Sequence, residues 1–135
     1  MENIKHQLTQ IFESTNSKLE YYFSEINSKN IIDKKAVSAS HYIFLTKLLD
    51  SIKDIDALSA VISKSMIDAG QINDAYRIKA LNQLFDVCNI HRQNIDEYFN
   101  ITQDILKQDS ANTIQILKQK TDELIRKTLM LKVQL

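Results

Sequence analysis

A chain of 135 residues with one glycine and no proline cannot supply the turns of a sandwich, a barrel or an α/β fold. The same scarcity excludes enzymes built on a glycine-rich phosphate loop. Lys and Arg number 17 against 17 Asp and Glu, so net charge is zero and no electrostatic footprint for nucleic acid is expected.

No window of about 18 apolar residues occurs, so no membrane span is expected. Met1 to Lys18 holds Glu2 and Glu13 and lacks an apolar core, unlike a secretory signal. Cys88 stands alone, which leaves no internal disulfide and points to a reducing, cytoplasmic setting. These features predict an all-α protein, an elongated bundle of long amphipathic helices with coiled-coil character. It forms a single domain divided into residues 1–33, 34–106 and 107–135.

The first predicted helix runs from Asn3 to Lys29. Its apolar stripe is Ile4, Leu8, Ile11, Thr15, Leu19, Tyr22 and Ile26, a period of about 3.67 residues, widened by Phe12 and Phe23. A polar knot, Asn27 to Asn30, follows, and Asp33 is a candidate N-cap for the next helix. That helix runs from Lys34 to Lys53 on the stripe Val37, His41, Phe44, Leu48, Ile52 and Ile55. Asp56 is the strongest helix-start signal, because it precedes a long periodic stretch.

The third stretch, Ala57 to Leu106, repeats from Leu58 to Ile105 at about 3.62 residues per step, with Ile72, Tyr76, His91 and Tyr98 on the stripe. Read as one helix it is a rod of roughly 75 Å. That exceeds the roughly 40 Å diameter of a compact globule of this length. The rod therefore either makes the bundle elongated or bends near Gly70 or Asn89. The last helix follows a capping pair, Asp109-Ser110. Its stripe, Ile114, Leu117, Thr121, Leu124, Thr128, Leu131 and Leu135, steps at 3.5 residues, a heptad frame. Residues 1–33 carry three bases and five acids, whereas 111–135 carry five bases and two acids, so the ends are able to pair.

Catalytic chemistry is thinly supplied, and no enzyme activity is expected. His6, His41 and His91 are scattered, and the last two fall on apolar stripes, where packed histidines are the simpler reading. Cys88 and His91 share a helix face, but a metal site needs two further ligands and there is no second cysteine. Asp50, Asp54 and Asp56 lack the glycine and terminal glutamate of a calcium loop. No cofactor or metal is expected. The basic end, Lys118, Lys120, Arg126, Lys127 and Lys132, is too sparse for a DNA-binding tail.

The apolar stripes remain. Ala36-Val37-Ser38-Ala39-Ser40-His41-Tyr42, then Leu45, Leu48 and Leu49, then Asp56, Ala57 and Leu58, and later Gln71-Ile72, form an order that resembles the phasin family. Phasins are small proteins that coat polyhydroxyalkanoate storage granules. The resemblance spans about residues 16–106; 107–135 have no counterpart in it. It implies a non-enzymatic coat that covers the polymer surface with amphipathic helices, self-associates as a homo-oligomer, and sits in the cytoplasm on granules. The candidate contact face is Phe44, Leu48, Ile52, Leu58, Ile62, Tyr76, Leu84 and Phe85, which serve equally well as internal core. The competing expectation is a cytoplasmic helical adaptor or partner chaperone that works through protein contacts.

Overall fold

A computed structural model of the chain describes residues 2–28, 34–108 and 112–135. It is an all-α four-helix bundle: α1 Glu2–Ser28, α2 Lys34–Gln71, α3 Ala75–Lys107 and α4 Thr113–Val133. Helix α1 packs on α2 and α4, and α3 packs on the same two helices, so the order around the bundle follows the chain. Neighbours run antiparallel. Lys18 and Tyr22 of α1 meet Ser51 and His41 of α2, and Tyr98 of α3 meets Thr121 of α4. At 38 residues α2 is about 57 Å long, so the bundle is elongated. The expected caps Asp33, Asp109 and Ser110 lie outside the described residues, as do Lys29 and Asn30.

The stripes read from periodicity form the core. Leu8, Phe12, Leu19, Leu48, Ile55, Ile62, Leu81, Ile95 and Leu117 are wholly sealed from solvent. In α1, Phe12 takes the inward place and Ile11 packs at its edge. The heptad face of α4 folds back into its own bundle, with Leu117, Thr121, Leu124, Thr128 and Leu131 buried.

Two expectations are corrected. Asp56 does not start a helix, because α2 passes through it without interruption. Its carboxylate instead accepts from Arg92 of α3 at 2.7 Å, an interhelical role that no local signal reveals. Nor is 57–106 one rod, since the chain reverses after Gln71. The Asn73 amide donates to the Gly70 carbonyl at 3.2 Å, and the Asp74 amide donates to the Ala69 carbonyl at 2.9 Å. Asn73 has φ 55° and occupies the left-handed position of this C-terminal motif. Asp74 then caps α3, its Oδ1 accepting from the Arg77 amide at 3.0 Å. The reversal explains why the 3.6 period fails locally. Ile72 is 67 % exposed and Tyr76 86 % exposed, because the stripe was extrapolated across a turn.

Candidate functional site

The eight candidate contact residues separate into two groups. Phe44, Leu48, Ile52, Leu58 and Ile62 form the inner face of α2 and are buried. In the closed bundle they are core and offer nothing to an outside surface. Leu84 and Phe85 are partly buried against that core, and Tyr76 stands free in solvent. These three lie within the first three turns of α3.

Those turns border the one place where the bundle is left incomplete among the described residues. Lys132, in the last turn of α4, pairs with Glu13 of α1 at 3.2 Å. The first turns of α1 therefore run on past the end of α4. So do the ends of α2 and α3 that meet at the turn. The result is a groove of about 540 Å³ walled by Ala80, Leu84, Val87 and Ile90 of α3, with Leu135 at one end and Glu2 and Lys5 on the α1 side. Tyr76 lies one turn before Ala80 on the same face of α3, so it extends the apolar wall to the tip. Sequence reasoning marked Tyr76 and Leu84 as contact candidates, placed Leu135 only on the heptad stripe of the last helix, and had no signal for Ile90. Their role depends on where α4 stops relative to α3.

Titratable groups in the interior are packed rather than poised for catalysis. His41 Nδ1 is hydrogen-bonded to the Tyr22 hydroxyl at 2.8 Å, and Tyr22 stacks on Phe44 with ring centres 4.1 Å apart. His91 Nε2 lies 3.4 Å from Thr15 Oγ1, and its ring rests 4.5 Å from that of Phe12. Burial holds each imidazole neutral, its pKa lowered to about 4. His41 Nε2 and His91 Nδ1 meet no hydrogen-bond partner among the described residues. Burial also raises the Tyr22 and Tyr98 phenols and the Cys88 thiol, the last against a weaker opposing hydrogen bond from Ser59. Among the described residues the partners of the two histidines are hydroxyls, not carboxylates. Among the described residues no three His, Cys, Asp or Glu side chains gather as a metal site, and no helix is long and apolar enough to cross a membrane.

The core is also unusually polar along its ridges. Thr15, His41, Ser51, His91, Thr102, Thr113, Thr121 and Thr128 are all buried. Thr102, Thr121 and Thr128 satisfy their hydroxyls by donating to carbonyls one turn back in their own helices. Of these hydroxyls only that of Thr121 also reaches a neighbouring helix, at the Tyr98 hydroxyl 3.0 Å away; all three occupy ridge positions that aliphatic side chains would otherwise fill.

No protein-family model matches the chain, and no curated protein or solved structure is significantly similar to it.

Proposed function

We propose that the protein is a non-enzymatic surface coat that adsorbs to an apolar condensed phase, the polyhydroxyalkanoate granule, by the open end of the bundle. The observation that carries this reading is the groove at the start of α3, where Ile90 is exposed and Leu84 half-buried in the wall and Tyr76 stands in solvent one turn beyond it. Fully covering one such side chain is worth about 1.5–3 kcal/mol, so a few acting together give firm adsorption without stereospecific contacts. Adsorption at this end is followed by opening, which brings Phe44, Leu48, Ile52, Leu58 and Ile62 to the polymer. Two features favour opening. Leu84 and Phe85 at the start of α3 are only partly packed, and threonine and histidine stand at core positions that aliphatic side chains would otherwise fill. The charged outer faces then separate one granule from another, and the protein remains in the cytoplasm on the granule surface. Homo-oligomers form in solution, because apolar patches of this kind are rarely left bare.

The test is co-sedimentation of the purified chain with poly-3-hydroxybutyrate particles, with α-helix content followed on adsorption. The chain is expected in the pellet, still helical, and the Tyr76→Asp, Leu84→Glu double variant in the supernatant. Wild-type protein that stays in the supernatant would falsify the reading. If the protein ignores the particles and the groove instead binds one helical partner in a fixed ratio, it is an adaptor.

A further inference from the structure

The outer face of α2 is the longest helix surface that no other helix covers. Five of the large exposed apolar side chains stand on α2: Tyr42, Ile43, Leu49, Val61 and Ile67. Its outward positions step by three and four residues through Ala39, Ile43, Thr46, Asp50, Lys53, Ala57, Ala60 and Lys64, the spacing of an interhelical seam, and all are exposed. The seam is self-complementary when read against its own reverse. Face positions whose numbers add to 103 match: Asp50 with Lys53, Thr46 with Ala57, and Ile43 with Ala60. Thr46 and Ile43 in the first half of α2 thus meet alanines in the second, and Ala39 meets Lys64.

We propose that two copies of this chain form a dimer by packing α2 antiparallel on α2, about a two-fold axis between Asp50 and Lys53. The symmetry makes the contact isologous, so each match occurs twice. Asp50 of one copy faces Lys53 of the second copy, and the reverse pair forms on the other side of the axis. On the flank nearer α1, Lys47 faces Asp54 of the second copy. Asp50, Lys53 and Asp54 make no ion pair among the described residues, while Lys47 rests over the Tyr21 ring at 5.5 Å. Charge selects the arrangement. Parallel pairing sets Asp50 beside Asp50 and Lys53 beside Lys53. Sliding the antiparallel pair by one heptad puts Asp50 opposite Ala60 or Thr46 and Lys53 opposite Ala57 or Ile43 instead. Asp56 is turned toward Arg92 and takes no part. The surface is distinct from the groove at the start of α3, so the dimer does not rest on polymer binding.

The experiment is sedimentation equilibrium of the full chain at low and high salt, without particles. Wild type is expected to dimerise, more weakly as salt rises. Asp50→Lys and Lys53→Asp each place like charges across the axis and are expected to weaken the dimer at least about tenfold. The two single variants mixed together, and the double variant alone, are expected to recover it. The Thr46→Cys, Ala57→Cys variant is expected to crosslink between copies on oxidation, whereas Thr46→Cys alone is not. The proposal is overturned by a wild type that is monomeric at high-micromolar concentration. Charge reversals without effect, or a double variant that fails to recover, overturn it equally.

Discussion

Acidification tests the interior of the bundle directly. His41 and His91 are neutral and buried, each with its pKa lowered from 6.5 to about 4. The folded values lie below the unfolded ones, so between them the unfolded chain binds more protons. Stability therefore falls as pH drops from about 6.5 toward 4, and the contribution is complete above that window. At pH 4.5 each histidine removes about 2.5 kcal/mol, or about 5 kcal/mol for the pair. That approaches the whole stability of a small domain, on the order of 5–15 kcal/mol. Urea unfolding followed by circular dichroism from pH 7 to pH 4.5 reads the loss. His41→Gln and His91→Gln are each expected to flatten the pH slope by roughly half, whatever they do to stability at pH 7. A decline under about 1 kcal/mol in the wild type, or an unchanged slope in both variants, would refute the account of the polar core.

Four further outcomes follow from local geometry. Gly70 lies inside α2 with nothing within 4 Å of an added Cβ and without a positive φ, so Gly70→Ala is expected to raise stability by up to about 1 kcal/mol in thermal unfolding. At Asn73 the left-handed backbone makes Asn73→Gly nearly neutral, while Asn73→Val is expected to cost about 1–2 kcal/mol in the same measurement. Asp74→Ala removes the cap on Arg77 and is expected to cost about 1 kcal/mol. Cys88 is buried with its thiol raised by desolvation, so its labelling by a thiol reagent at neutral pH should track unfolding. Rapid labelling of the native protein would contradict the packing around α3.

Reading the chain alone reached as far as each helix's own register. The absence of proline and the 3.6-residue stripes set the all-α class. They also placed Val37, His41, Phe44, Leu48, Ile52 and Ile55 on one inward face, because a helix's periodicity is a property of its own backbone. Both histidines are packed as their stripe positions implied. What lay beyond local reading was the place where a helix ends and what its partners cover. Asp56 and Asp74 have the same side chain. One spans to Arg92, 36 residues away, and the other caps a helix, and only the fold distinguishes them. A signal for the turn did exist in Asn73-Asp74, a residue tolerant of the left-handed region followed by an N-cap. The groove at Leu84 and the bare face of α2 had no such signal. Each arises where one helix stops short of, or faces away from, its neighbours, and that depends on how four lengths align in space rather than on the order of residues in any one of them.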